Sequence, residues 1–220
     1  MMTLEQVSGF IESMRRLAAR RRINLNRIVL VFVLVFLTRP RNRVFFILGL
    51  TVALAGALLR IWARISPGWR RESLPGAPAS PAGVSLMKTL SSGPYRIVRH
   101  PMYLGTMIEA VGIWVSCFSF GRMFSALFLG VFLALYFFFV YKEAVLIEEE
   151  ELLVRWPLEW QDYSAVTPAL IATKESLRFL VWPDWSALDW KNIETTREWK
   201  NFLAYLGVFA FLWFKLVYKI

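Results

Sequence analysis

The chain has 220 residues, 57% of them hydrophobic and 19% charged, with a formal net charge of +10. A soluble domain of this length is normally less apolar and more charged, and the excess here lies in runs long enough to cross a bilayer. The basic residues sit beside those runs rather than on a separate module, which points away from nucleic acid and toward positive-inside topology and anionic lipid.

Residues 3–22 place Leu4, Val7, Phe10, Ile11, Met14 and Leu17 at helical spacing, followed by Arg15, Arg16, Arg20, Arg21 and Arg22. That pattern predicts a basic amphipathic helix in the membrane interface over residues 1–22. Thr38-Arg39-Pro40-Arg41 offers no small-x-small cleavage site, so the segment reads as mature protein. Ile28–Leu37 is a short apolar run, extendable back to Ile23. A turn at Thr38–Arg43 and a full span at Val44–Ala63 complete a helical hairpin.

Pro67–Ser92 is rich in Pro, Gly and Ser and reads as a loop. The third span is expected over Tyr103–Phe118, and a turn at Ser119–Arg122 leads to the fourth, Met123–Tyr141. A polar and aromatic segment covers 142–200, in which Trp182–Trp199 reads as interfacial. Phe202–Val217 is the fifth span. With the N-terminus cytoplasmic, the cytoplasmic parts hold 20 of the 26 Lys and Arg residues, which supports this layout. The single cysteine, Cys117, excludes an intramolecular disulfide and reads as packing. Glu109, two turns into the third span, should face a cavity or a partner.

Two stretches carry candidate chemistry. The first is Gly93–Gly105, GPYRIVRHPMYLG, which holds the only histidine. Pro101 suits a first helical turn, whose N–H groups have no intrahelical partner. Those groups and the positive end of the helix dipole favour an anion. Arg96, Arg99 and His100 add donors, and Tyr95 and Tyr103 add hydroxyls. The competing reading is a membrane anchor with Arg and Tyr at headgroup level.

The second stretch is Glu148-Glu149-Glu150-Glu151, just after the fourth span. Four carboxylates at a helix C-terminal end would oppose its dipole; a new helix starting near Glu148 would reverse that sign, or some of the carboxylates could face a cation or hydroxyl donors. At most two of the four can face one pocket, and the competing reading is a solvated charge run. Both stretches fall on one side of the bilayer around a short hairpin. An anion-binding helix start beside carboxylates suits a zwitterion with a positive centre, such as the amino-acid end of S-adenosylmethionine.

The first stretch, as Gly93-Pro94-Tyr95-Arg96-x-x-Arg99-His100-Pro101-x-Tyr103-x-Gly105, resembles a motif of the isoprenylcysteine carboxyl methyltransferase family. That family of integral membrane enzymes broadly includes bacterial phospholipid-methyltransferase-like proteins. Glu148-Glu149-x-x-Leu152, followed by Tyr163 and Pro168, resembles its second motif, and Leu59-Arg60-Ile61-Trp62-Ala63 the helix end before the loop. The likeness covers about residues 44–170. Trp156-Pro157 stands where an aromatic-Gly pair is usual, Trp160 where Tyr is common, and Ala144 where members often carry Arg.

The resemblance implies an all-α, polytopic transmembrane bundle of about five spans with a cytosolic-side cofactor pocket. Residues 23–170 would form the methyltransferase core, and 171–220 an aromatic interfacial segment with a C-terminal span. S-adenosylmethionine would bind through Tyr95, Arg99, His100, Pro101, Tyr103, Gly105, Glu148 and Glu149. His100, Tyr103 and Gly105 would line its methionine end, and a lipid or lipid-linked substrate would enter from the bilayer. A carboxylate acceptor needs no base. An amine acceptor must lose a proton, for which Glu148 is the candidate. The expected activity is therefore S-adenosylmethionine-dependent methyl transfer to a lipid. A membrane reductase using NADPH, with Arg96 and Arg99 on its phosphates, and a non-catalytic membrane protein are the alternatives.

Overall fold

The computed structural model describes residues 40–66, 93–118, 123–180, 188, 190 and 198–219. The described residues are helical, in the order α1 (Arg43–Ile65), a 3₁₀ turn (Gly93–Arg96), α2 (Pro101–Ser116), α3 (Met123–Arg155) and α4 (Pro157–Val166). A single turn, α5 (Lys174–Leu177), leads into a 3₁₀ turn (Arg178–Leu180), and α6 (Glu198–Tyr218) closes the order. The expected interfacial helix at 1–22, the run at 28–37, the loop at 67–92 and most of the Trp-rich segment lie outside the described residues.

Among the described residues, three helices are long and apolar enough to cross a membrane: α1, α3 up to Val154, and α6. They contain the expected spans at Val44–Ala63, Met123–Tyr141 and Phe202–Val217. The expected third span corresponds to α2, which has 16 residues. At 1.5 Å per residue it is about 24 Å long, short of the roughly 30 Å hydrocarbon layer. Of the two alternatives for the glutamate run, a new helix starting near Glu148 does not form. α3 runs unbroken for 33 residues, through all four glutamates, to Arg155. Its length of about 50 Å carries its last turns well beyond a bilayer core.

α1 and α2 pack antiparallel at very short range because glycine recurs every seven residues on both. A Cβ on Gly49 would lie 2.4 Å from the Gly112 carbonyl, and one on Gly56 would lie 2.6 Å from that of Gly105. The facing glycines let the two backbones touch, a recurrent solution where lipid supplies no hydrophobic drive between helices. α3 packs on the other side of α2, with the Trp114 indole donating to the Ala126 carbonyl at 2.8 Å. α6 lies against α1, where Phe46 meets Phe209 and Trp213. One apolar core joins all four helices through Phe46, Ala53, Ala110, Ile113, Leu133, Phe137, Tyr141, Phe209 and Leu212. Phe124 and Phe128 on α3 are 84% and 76% exposed, as expected of a lipid-facing surface.

Asn42 caps α1, its side-chain oxygen accepting from the Val44 N–H at 2.8 Å. α3 gives way to α4 at Trp156-Pro157, with Trp156 outside the helical region at φ -140 and ψ 66 and Pro157 at the first helical position. The residue before a proline is pushed out of the helical region, so the break follows from sequence.

Candidate functional site

The Gly93–Gly105 stretch is a scaffold before it is a site. Gly93 has φ +55, and a Cβ there would lie 2.3 Å from Ser66 Oγ at the end of α1. Glycine is therefore required on both conformational and steric grounds. Tyr95 is fully buried, and its carbonyl accepts from the Tyr163 hydroxyl at 2.7 Å. The Arg99 and His100 N–H groups donate to the Pro168 and Ala169 carbonyls at 2.8 and 3.1 Å. Tyr163 and Pro168, 60 to 70 residues downstream, thus hold the turn that presents Arg99 and His100.

Arg99 has two tasks. Its Nη1 donates to the Thr167 and Ser164 carbonyls at 2.6 and 3.0 Å, satisfying carbonyls at the C-terminal end of α4. Its Nε and Nη2 reach Glu149 Oε1, each at 2.9 Å. His100 occupies the N-cap position of α2 and is buried. Its Nε2 lies 3.0 Å from Glu149 Oε1, and its Nδ1 lies 3.4 Å from Glu148 Oε2. An imidazolium, with two N–H donors, satisfies both carboxylates, whereas a neutral ring satisfies one.

Tyr103, one turn into α2, donates its hydroxyl to Glu148 Oε1. Its ring stacks between His100 and Tyr141, with centroid separations of 5.7 and 4.8 Å. Glu148 and Glu149 keep 36% and 22% of their side-chain surface open, so the cluster is neither sealed nor fully solvated. Glu150 is exposed. The run of four is thus divided by the helix, with adjacent residues pointing in different directions.

Of the sequence-predicted residues, Arg99, His100, Tyr103, Glu148 and Glu149 form one cluster. Three others sit elsewhere. Tyr95 is enclosed in the scaffold, and Pro101 is buried at the first position of α2. Gly105 faces α1, where a Cβ would lie 2.5 Å from Arg60 Cγ and 2.9 Å from the Gly56 carbonyl. Its close approach is to a neighbouring helix, on the face of α2 turned away from the glutamates. Arg96 is exposed and lies over the Phe179 ring, 3.8 Å from its centroid. Ala144 is buried, leaving no cation one turn before Glu148.

Sequence reasoning missed a second polar cluster. Arg60, in α1, is 2% exposed and donates its Nε to Glu198 Oε1 at 2.8 Å. The same Nε lies 3.5 Å from Glu109, and the guanidinium also donates to the Thr106 hydroxyl. Arg64 reaches the other Glu198 oxygen at 3.3 Å. The expected partner of Glu109 is therefore Arg60. The available signal was an ionisable residue inside each of two apolar helices.

No family model matches the chain, and no solved structure matches it. Among curated proteins, it is similar to the nickel-cobalt-cadmium resistance protein NccN of Alcaligenes xylosoxydans xylosoxydans, at 30% identity over 122 residues. The matched region is 56% of this chain and 46% of that relative, so the chain spans less than half of the relative's length.

Proposed function

We propose that the protein is an integral membrane methyltransferase that uses S-adenosylmethionine to methylate a lipid or lipid-linked acceptor. The observation that carries this reading is the pairing of Arg99 and His100 with Glu148 and Glu149 at the start of α2, beside the Tyr103 ring. Two cationic groups next to two carboxylates suit a ligand that bears both signs. A carboxylate would take the donors of Arg99 or His100, while an ammonium or ribose hydroxyls would take the glutamate oxygens.

When bound, S-adenosylmethionine supplies an electrophilic methyl group on a sulfonium. The chain's share is positioning, since displacement needs an in-line approach more than acid–base work. Tyr103 holds Glu148 by its hydroxyl, and Glu149 keeps Arg99 and His100 in place. With an amine acceptor, Glu148 would take the proton at its carboxylate oxygen. The roughly 30 Å hydrocarbon layer beside α3 provides lateral entry for a lipid.

The reductase alternative would need Arg96 and Arg99 on the extra phosphates, whereas Arg99 is paired with Glu149 and Arg96 lies apart, over the Phe179 ring. The likeness to the resistance protein favours a second reading, a contribution to tolerance of nickel, cobalt or cadmium. Among the described residues no three His, Cys, Asp or Glu side chains come together as a metal site.

The test is a titration of purified protein with S-adenosylmethionine and, separately, NADPH, followed by labelled-methyl transfer to extracted lipids. Saturable binding of S-adenosylmethionine with label in the lipid fraction is expected. Binding of NADPH instead, or of neither, overturns the proposal.

A further inference from the structure

The turn that follows the site has an unusual surface. Ile171, Leu177 and Leu180 are 85%, 45% and 55% exposed. Lys174 and Arg178 alternate with them and are exposed as well. Arg96 comes to the same place from the 3₁₀ turn before α2, and it and Arg178 converge on one ring. Their Cζ atoms lie 3.8 and 4.9 Å from the Phe179 centroid. The two guanidiniums are therefore no more than about 9 Å apart, against the direction of their mutual repulsion. Glu175, at the start of α5, is the acidic group beside Arg178, and with Lys174 present the cluster keeps an excess of positive charge.

The level of this turn along the bundle follows from the hydrogen bonds. Pro168 and Ala169 bond the residues just ahead of α2, so the segment leading into 171–180 lies level with the first turn of that helix. Tyr141, the last residue before Lys142 and Glu143 on α3, stacks on Tyr103 in that same turn. The boundary between apolar and charged sequence on α3 thus falls at this height. Exposed aliphatic side chains interleaved with basic ones at such a boundary match the headgroup layer, where the former enter the acyl region and the latter meet phosphate.

We propose that residues 171–180 lie in the headgroup layer of the membrane and that Arg96 and Arg178, braced on Phe179, bind the phosphate of an anionic phospholipid. Phosphate oxygens accept charge-assisted hydrogen bonds of about 2.8 Å, and two nearby guanidiniums can share one such group. The lipid source is favoured over free phosphate because Ile171, Leu177 and Leu180 offer apolar contacts that only an acylated ligand uses. This inference rests on the spanning helices and not on methyl transfer, so either can fail alone.

The experiment titrates the full chain in detergent with phosphatidylglycerol, phosphatidylcholine and inorganic phosphate, read by native mass spectrometry. Wild type should prefer phosphatidylglycerol, and millimolar phosphate should not displace it. The variant Arg96→Gln/Arg178→Gln should bind that lipid about 25-fold more weakly, at roughly fivefold per basic side chain near an anionic surface. The charge-matched control Arg41→Gln/Lys219→Gln, at the opposite end of the bundle, should bind as wild type does. Equal losses in both double variants would reduce the effect to net charge and overturn the site. Unchanged binding in the first variant overturns it too, and displacement by phosphate overturns the lipid assignment.

Discussion

Arg60 and Glu198 lie 138 residues apart in the chain and meet inside the bundle, Nε to Oε1 at 2.8 Å. Glu198 begins α6, and Arg60 lies near the end of α1, so one ion pair fixes the register of the last membrane helix. Both residues are 2% exposed, which makes loss of either partner costly. Glu198→Ala should destabilise the protein by about 3–5 kcal/mol, because a buried guanidinium loses the closer of its two carboxylates. Thermal unfolding in detergent, followed by tryptophan fluorescence, measures this. Arg60→Leu should also destabilise, since Glu109 and Glu198 lose the guanidinium they share, while Arg64 and Asn201 still reach Glu198. An unaltered midpoint in both variants would show that the pair contributes nothing to assembly.

The glycine contact between α1 and α2 makes an opposite pair of predictions. A Cβ on Gly112 would lie 2.5 Å from the Ala53 nitrogen, while one on Gly207 would meet nothing within 4 Å. Gly112→Ala should therefore cost about 1–3 kcal/mol through overpacking, and Gly207→Ala should be tolerated. The same unfolding assay separates them. Equal midpoints for the two would mean that the close backbone approach is not maintained.

The glutamate run should respond position by position. Glu149→Gln removes the charge that pairs with Arg99 and His100, and it should weaken S-adenosylmethionine binding as well as turnover. Glu148→Gln keeps an acceptor for Tyr103 but removes the carboxylate that would take a proton, so turnover should fall more than affinity. Glu150→Gln, on an exposed side chain, should behave as wild type. Binding and methyl transfer measured together in one detergent decide this. A flat profile across the three returns the run to a solvated surface.

The antiparallel order of the helices predicts which ends share a side of the membrane. Single cysteines at positions 41 and 219, in a Cys117→Ala background, should be labelled from one side. Cysteines at 150 and 171 should be labelled from the other. The charge bias of 20 in 26 Lys and Arg residues assigns the second side to the cytoplasm. Labelling of all four from a single side would contradict the spanning arrangement.

Sequence alone determined the positions of α1, α3 and α6, because about 20 apolar residues leave a chain in a bilayer no option but a helix with satisfied backbone. It also allowed Arg99 and His100 to meet Glu148 and Glu149, since the third and fourth spans were expected to form a hairpin with both stretches on one side of the bilayer. Tertiary structure decided the rest. Gly105 packs against Arg60 rather than beside the glutamates, because the seven-residue glycine spacing on α1 selects that face of α2. Glu148 lies within a continuous helix rather than at a helix start because partners outside α3 offset its charges: Tyr103, His100 and Arg99 sit against the run. The meeting of Arg60 with Glu198 has no local signature at all. Helical propensity and apolar periodicity act over a few residues, whereas a pair 138 residues apart is chosen by which helix faces pack with fewest buried charges left alone.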